Sequence, residues 1–287
     1  MINTLKYRLK SALKVFLGKA KIEKPIVFTG FKESIISDDF KKNLERYSYE
    51  FIFTEFGKER VNAGGAVLDK KNRLEPSLSG IKKFFPNAKI TVFTDFDWEE
   101  NLDLNIVKVE SPIPFPEHAR FGYRTGNYFK FKGLLDSTAD FACALDTDML
   151  FVNENIYSLV TLTKKFGFCT ANNSSRQLIN KDMAISLDTQ NVNDDSLGNA
   201  HSYNQSPMTL WRGDDRGKVY YNSCLEIMKD NPSRGSLVMY KAAWKTGVYP
   251  YVLPMQFCVC DGDIGCGYEI LLHIGHPRVA KYYGVES

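Results

Sequence analysis

Short apolar runs rich in β-branched and aromatic residues alternate with helix-forming segments along most of this chain. Residues 89–94 have the composition of a strand, and residues 76–85 before them have the pattern of a helix. Alternation of this kind is typical of βαβ units, whose strands pair in parallel and whose helices cover the sheet. The sequence therefore predicts an α/β fold with a Rossmann-like, mainly parallel sheet flanked by helices.

The remaining predicted elements extend this pattern to the C-terminal part. Strands are predicted at residues 26–31, 49–53, 106–109, 141–145, 167–170, 208–212 and 251–254, the last of them at an edge. Helices are predicted at residues 39–47 (capped by Asp38), 117–135, 218–229 and 236–245. Residues 172–205 are polar and without periodicity, which indicates a functional loop or a disordered segment.

Composition limits the possible classes of function. An apolar fraction of 44% and a charged fraction of 25% predict a folded protein with a sizeable core, and residues 25–287 are expected to form one domain. A formal net charge of only +3 argues against nucleic acid as a partner.

The first 24 residues differ from the rest of the chain because they are strongly basic. Lysines and arginines alternate with apolar residues at helical spacing, which predicts a basic amphipathic helix over residues 1–24. No run of 18 apolar residues occurs, so neither a membrane span nor a secretory signal is expected. We expect a cytoplasmic protein whose N-terminal helix either lies on an anionic membrane surface or packs on the domain.

Two acids at the end of the apolar run 141–145 carry the main chemical signal. Asp146 and Asp148 flank Thr147 there, and the carboxyl edge of a parallel sheet is where open α/β folds bind ligands. Adjacent carboxylates repel one another unless a cation lies between them. Mn²⁺ or Mg²⁺ accepts oxygen ligands and binds diphosphates, so the pair predicts a hard divalent cation that assists a phosphate leaving group.

Residues 144–151, Ala-Leu-Asp-Thr-Asp-Met-Leu-Phe, resemble the DxD signature of GT-A glycosyltransferases, especially the family-8 type that includes glycogenin and bacterial lipopolysaccharide galactosyltransferases. The resemblance implies a GT-A fold and a nucleotide-sugar donor, with UDP as the family default. It also implies transfer of the sugar to a glycan or glycolipid hydroxyl. Asp146 and Asp148 would bind the metal, and Asp146 and Thr147 would contact the donor.

Two earlier segments are similar to donor-binding parts of the same family. Residues 51–56 are similar to the opening strand, which maps contact with the nucleoside base onto Thr54 and Phe56. The helix before the acids carries Arg124, which the resemblance makes the preferred contact for the diphosphate, with Lys130 as the second candidate.

Residues 271–278 look like the His-x-x-Gly-x-x-Lys-Pro segment that closes the family-8 site. The resemblance makes His273 the third metal ligand and Arg278 a phosphate contact. Because the glycine follows His273 by two residues rather than three, His276 as ligand and Lys281 as phosphate contact remain alternatives.

The acceptor side of the sequence departs from the family pattern, so the stereochemistry of transfer stays open. An inverting enzyme needs a carboxylate base near the acceptor hydroxyl, and Asp261 and Asp214 are our candidates among the loop acids, with Asp215 and Asp263 behind them.

Other interpretations of the same residues also remain. Cys258, Cys260, Cys266, His273 and His276 could bind structural zinc, although their spacing is not a common zinc pattern. Otherwise the six cysteines are expected to be reduced thiols. A non-catalytic nucleotide-sugar or carbohydrate-binding protein and a sugar nucleotidyltransferase are the alternative functions.

The membrane hypothesis for residues 1–24 predicts a charge-dependent interaction. A chain that starts at Lys24 should lose sedimentation with vesicles rich in phosphatidylserine, because each basic residue near such a surface contributes about 1 kcal/mol. Vesicles of phosphatidylcholine alone are the control. Equal sedimentation of the shortened and full chains with the anionic vesicles would contradict the hypothesis.

Overall fold

The computed structural model of the protein describes residues 28–57, 74–97, 103–172 and 203–285. The basic segment 1–24 and most of the polar stretch 172–205 lie outside the described residues, so the predictions made for them stay predictions. Within the described ranges no helix has the length and apolar character needed to cross a membrane.

The described helices and strands follow one another in a mixed α/β order. The helices are α1 (Asp38–Leu44), α2 (Glu75–Phe84), α3 (Phe121–Asp136), α4 (Tyr157–Phe166), α5 (Asp215–Asp230), α6 (Gly235–Thr246) and α7 (Pro277–Tyr283). The strands are β1 (Tyr49–Glu55), β2 (Lys89–Thr94), β3 (Asn105–Lys108), β4 (Phe141–Ala144), β5 (Met149–Phe151), β6 (Phe168–Asn172), β7 (Tyr203–Trp211), β8 (Tyr251–Val252) and β9 (Leu271–His273). Short 3₁₀ turns lie at Glu154–Ile156 and Met255–Phe257.

Seven of these strands form the main sheet, in the order β3-β2-β1-β4-β7-β6-β8. The strands from β3 to β4 pair in parallel, β7 runs antiparallel to both β4 and β6, and β8 joins the edge parallel to β6. The predicted α/β fold with a mainly parallel sheet flanked by helices is therefore confirmed, as is the edge position of residues 251–252.

Alternation along β1 shows how the sheet separates two cores. Phe51 and Phe53 point to one face and pack with α2 and α4, whereas Ile52 points to the other face and packs with α3, α5 and α6. Successive strand residues face opposite sides of a sheet, so a strand covered by helices on both sides is apolar at every position. Because both faces are covered, the open positions are the strand ends.

A second sheet of two strands lies beyond the carboxyl end of β4. There β5 pairs antiparallel with β9, and Met149 lies opposite His273. A third core cluster, which includes Leu272, Ile274 and Val279, fixes α7 and the end of the chain against this small sheet. The C-terminal segment is thus brought to the residues that follow β4.

Several predicted boundaries differ from the structure for local reasons. Residues 28–31 were expected to be a strand, but they are irregular, and the rings of Phe28 and Phe31 pack on Tyr283. Helix α1 begins at Asp38 and is capped by Ser37, whose Oγ accepts a hydrogen bond from the N–H of Phe40. The elements β5, α4, β9 and α7 were not predicted.

A buried acid on β1 links three neighbouring segments of the sheet. The Glu50 carboxylate accepts hydrogen bonds from Thr91 and Ser137, both at 2.6 Å, and forms an ion pair with Lys89 at 2.9 Å. Burial alone would raise the pKa of Glu50, but the hydrogen bonds from Ser137, Thr91 and Lys89 outweigh it and lower that pKa.

Replacement of this acid should destabilise the fold in a pH-dependent way. Glu50→Gln should lower the free energy of unfolding at neutral pH by about 1 to 3 kcal/mol, the usual contribution of hydrogen bonds to a charged group. Because the folded-state pKa is depressed, this stabilisation is present above the unfolded pKa and is lost as the pH falls through the folded pKa. Urea unfolding of both proteins at several pH values measures the difference, and a gap that persists at the acidic end would contradict it.

Candidate active site and metal centre

The loop after β4 holds its acids through contacts from three other segments. The N–H of Asp146 donates to Ser206 Oγ on β7 at 2.8 Å, and Thr147 Oγ1 donates to Glu55 at the end of β1 at 2.9 Å. Ser77 on α2 donates to the carbonyl of Met149 at 2.6 Å and accepts from its N–H at 3.2 Å. The backbone around both acids is therefore fixed by the surrounding fold.

His273 meets these acids because of the register of the small sheet. The N–H of Ile274 donates to the carbonyl oxygen of Asp148 at 2.9 Å, which continues the β5–β9 ladder beyond its last strand residue. His273 Nε2 lies 3.1 Å from Asp148 Oδ1 and 3.8 Å from Asp146 Oδ2. One ligand atom from each of the three residues lies within 4.8 Å of the others.

This arrangement fits a hard divalent cation. Ligands placed about 2.1 Å from one octahedral ion lie about 3 Å apart, close to the separation of His273 Nε2 and Asp148 Oδ1. Gly275 borders the same carboxylate, and a Cβ at this position would come within 1.8 Å of Asp148 Oδ2. Residue 275 must therefore be glycine if the Asp148 carboxylate is to keep this position.

Lys130 compensates part of the negative charge at the site. Its ammonium group forms an ion pair with Asp146 Oδ1 and lies 3.5 Å from the carbonyl oxygen of Gln205. The Lys130 side chain is only 3% exposed and that of Asp146 is 22% exposed, so the ion pair is partly shielded from solvent and salt. Asp146 Oδ2, on the side of His273, is left for a cation.

A polar face of α3 extends from Lys130 towards the beginning of that helix. Arg124, Asn127 and Lys130 recur every third residue, and all are buried. Arg124 lies six residues before Lys130, about 9 Å along the helix axis. Gly122 packs against the backbone of Phe56, so this end of α3 reaches the carboxyl edge of the sheet.

The electrostatic balance at His273 favours the protonated imidazole in the metal-free protein. Burial alone would lower the pKa of His273, but the negative charge of Asp148 and hydrogen bonds to Asp148 and Cys260 raise it well above its usual value. A divalent cation would replace this proton as the positive charge between the carboxylates.

The other side of His273 faces a cluster of thiols. Its Nδ1 lies 3.7 Å from Cys260 Sγ, and that sulfur lies 3.7 Å from Cys258 Sγ. The hydrogen bond from Cys258 is the main cause that lowers the pKa of Cys260, and hydrogen bonds from His273 and His276 act in the same direction against burial. The same hydrogen bond, together with burial, raises the pKa of Cys258 well above its usual value.

Three residues predicted to contact the donor are engaged inside the fold. The ring of Phe56 is 1% exposed and stacks on Phe129 with the ring centroids 5.2 Å apart, so it offers no open face to a nucleoside. Thr54 is buried in β1, and the Thr147 hydroxyl is bonded to Glu55. These side chains make contacts within the fold, and their predicted contacts with a donor stay predictions.

The predicted phosphate contacts and one predicted base lie on the side of the His273 loop, and the other predicted base lies at the opposite edge of the sheet. Arg278 and Lys281 are exposed on α7, which begins directly after the His273 loop. Asp261 Oδ2 lies 3.7 Å from His276 Nδ1, also on this side. Asp214 caps α5 by accepting from the N–H of Gly217 at 2.7 Å, near the amino end of β4, so its predicted role as a base does not fit its position.

Sequence reasoning missed four residues that shape the centre. Glu55, Ser77 and Ser206 hold the acid loop, and Gly275 makes room for Asp148. Only Gly275 had a signal in the sequence, as the glycine of the motif around His273. The other three are polar residues without a motif of their own, and their partners lie far away along the chain.

Comparisons with known proteins give likenesses at the level of structure alone. No family model matches the chain, and no curated protein matches its sequence. Mouse xyloside xylosyltransferase 1, solved in its apo form, is 10% identical, with a TM-score of 0.46 over 79% of this chain and 97% of the other. The galactosyltransferase LgtC, solved with donor and acceptor sugar analogues, is 11% identical, with a TM-score of 0.46 over 83% and 96%. Likeness at this level carries no functional argument, which has to come from the site itself.

Because Gly275 lies so close to the Asp148 carboxylate, a larger residue at position 275 should weaken metal binding. Gly275→Ala should displace the Asp148 carboxylate and weaken Mn²⁺ binding at least tenfold, with little effect on the main sheet. Isothermal titration with Mn²⁺ measures the affinity, and circular dichroism checks the fold. Pro277→Ala, an exposed change two residues further on, is the control, and equal Mn²⁺ affinity in the two variants would contradict the proposed contact.

Proposed function

We propose that this protein is a metal-dependent glycosyltransferase of the GT-A type, which transfers a sugar from a nucleotide diphosphate donor to a hydroxyl of a glycan or glycolipid. The observation that carries the proposal is the approach of His273 Nε2 to within 3.1 Å of Asp148 Oδ1. The resemblance of residues 144–151 to the DxD signature implies a third ligand from the C-terminal segment. A solvated or helix-capping acid pair would have no reason to meet that segment.

In this proposal Asp146, Asp148 and His273 hold Mn²⁺ or Mg²⁺ at the carboxyl edge of the sheet. When bound, such a cation stabilises the charge that develops on a diphosphate leaving group. Asp146 takes part through Oδ2, since Lys130 occupies Oδ1. The ion pair with Lys130 fixes the orientation of Asp146 before a donor arrives.

The chain offers basic groups on two sides of this centre for the diphosphate. Arg124 lies along the polar face of α3, and its guanidinium suits bidentate contact with phosphate oxygens. Arg278 and Lys281 lie on α7 and are exposed to solvent, so they are free to move towards a bound donor. UDP as the nucleotide and Thr54 near the base belong to the proposal as implications of the family resemblance.

Asp261 is the proposed base if the enzyme inverts the configuration of the transferred sugar. It lies beside the His273 loop, and its Oδ1 is buried without a hydrogen-bond partner among the described residues. A retaining reaction needs no such base. A lipid-linked acceptor at the cytoplasmic face of an anionic membrane, reached through residues 1–24, completes the proposal.

Replacement of one metal ligand tests the central claim. Asp148→Asn keeps the size of the side chain but removes its charge, so Mn²⁺-dependent hydrolysis of UDP-sugars should fall by at least a hundredfold. Asp136→Asn, at the exposed end of α3, is the matched control, because the Lys132–Asp136 pair lies on the surface and contributes little. Phosphate-coupled detection of released UDP measures both proteins across a panel of donors.

The outcomes separate the proposed function from its alternatives. Unchanged turnover in Asp148→Asn would refute the assignment of the metal. Binding of UDP-sugars with Mn²⁺ but without turnover on any acceptor would favour a non-catalytic binding protein. Formation of pyrophosphate from a sugar 1-phosphate and a nucleoside triphosphate would favour a sugar nucleotidyltransferase.

A further inference from the structure

A second group of metal-binding side chains shares His273 with the carboxylate centre. Cys258, Cys260 and His273 place one ligand atom each within 4.8 Å of the others. His276 joins them, since its ring hydrogen-bonds to Cys260 and lies 4.7 Å from the ring of His273. Cys260 therefore contacts the other three members of the group.

Two distances within the group match edges of a tetrahedron around a zinc-sized ion. Two thiolates at about 2.3 Å from such an ion lie about 3.8 Å apart, and a thiolate and an imidazole nitrogen lie about 3.6 Å apart. In the structure, Cys258 Sγ and Cys260 Sγ are 3.7 Å apart. Cys260 Sγ and His273 Nδ1 are also 3.7 Å apart. Neither distance permits a covalent bond, and both cysteines are free thiols.

The surroundings of the group are those of a closed metal site. Cys258 and Cys260 are 1% and 6% exposed, so solvent has little access to either sulfur. Asn204 Nδ2 donates to Cys258 Sγ at 3.6 Å. His273 turns its other nitrogen to Asp148 at 3.1 Å, and a carboxylate on the far side of a metal-binding imidazole fixes the ring and its tautomer.

We propose that Cys258, Cys260, His273 and His276 form a second, thiophilic metal site that takes a zinc-class divalent ion. Two thiolates and two imidazoles are a closed ligand set for zinc, whereas Mn²⁺ and Mg²⁺ prefer oxygen. Binding of the ion releases to solvent the protons that the thiols and imidazoles hold on their metal-binding atoms. Cys258, Cys260 and His273 form the grouped set, and His276 is added through its contact with Cys260. Cys266 is left out, because the charged groups that act on its thiol are Glu269 and Asp263 and not members of the site.

The zinc-class ion would decide which role His273 plays. With the ion on Nδ1, the proton of the neutral ring stays on Nε2 and is donated to Asp148. The 3.1 Å contact between His273 and Asp148 is then a hydrogen bond that positions the carboxylate, and in the zinc-loaded protein the hard-cation ligands of the proposed function reduce to Asp146 and Asp148. With Nδ1 free of metal, Nε2 is available to that cation. The zinc site itself does not depend on glycosyl transfer.

Metal analysis of the full chain, purified without chelator or added metal, tests the site. Stoichiometric zinc is expected in the unaltered protein and in Cys266→Ser, the matched thiol control. Zinc should fall to background in the double variant Cys258→Ser with Cys260→Ser. It should remain in Asp148→Asn, a variant that loses Mn²⁺-dependent turnover if the proposed function is right.

A second measurement covers the case in which the double variant fails to fold. Unaltered protein stripped of zinc and loaded with Co²⁺ should show the near-ultraviolet charge-transfer absorption of thiolate-bound cobalt. Absence of both zinc and this absorption would overturn the proposal. Zinc that is lost from Asp148→Asn but kept in the double cysteine variant would also overturn it, because the ion would then lie on the carboxylates.

Discussion

The antiparallel pairing of β5 with β9 is the interaction on which the centre depends. It sets His273 opposite Met149 and lets the N–H of Ile274 bond to the carbonyl of Asp148. Each strand has three residues, so few ladder hydrogen bonds hold the pair together. The apolar cluster around Leu272 and α7 supplies the packing that such short strands lack. The position of His273 beside the two acids therefore depends on the apolar packing between β9 and α7.

The same pairing holds two carboxylates in a partly buried place, and several neighbouring groups offset the free-energy cost of their charges. Asp146 and Asp148 lie close together and partly out of solvent, where unpaired charges are expensive. Lys130 offsets one charge, the imidazole of His273 lies between the two carboxylates, and backbone contacts keep the loop from relaxing outward. Two carboxylates and an imidazole held this closely together fit the ligand set of a metal ion.

The sequence predicted those features of the fold that depend on residues close together along the chain. Residues 89–94 were predicted with their observed bounds, and the apolar run that ends before Asp146 gave both β4 and the acid pair, because burial on two faces leaves a clear pattern. Strand β9 has three residues, too few to show a period, so the residues around His273 were recognised from their resemblance to a motif rather than as a strand.

Other features of the predicted site residues come from tertiary packing that has no sequence signal. From the sequence, Phe56 is expected to be accessible at a strand end, but in the fold it stacks on Phe129. Asp214 is one of several loop acids in the sequence, and only the structure shows that it accepts a hydrogen bond from the Gly217 N–H as a helix cap. The hydroxyl of Thr147 is similar, since only the fold brings Glu55 to it. In each case the sequence shows the type of the residue but not the residue that it contacts in the fold.

The ion pair between Lys130 and Asp146 has a further consequence, for the order of assembly. An ammonium group fixed inside the protein already balances one carboxylate, so the acid loop can reach its final shape while no metal is present. The centre is then built in advance by the chain itself. Under the proposed function, metal and nucleotide would bind to a centre that is already formed, so removal of the metal would abolish activity without unfolding the protein.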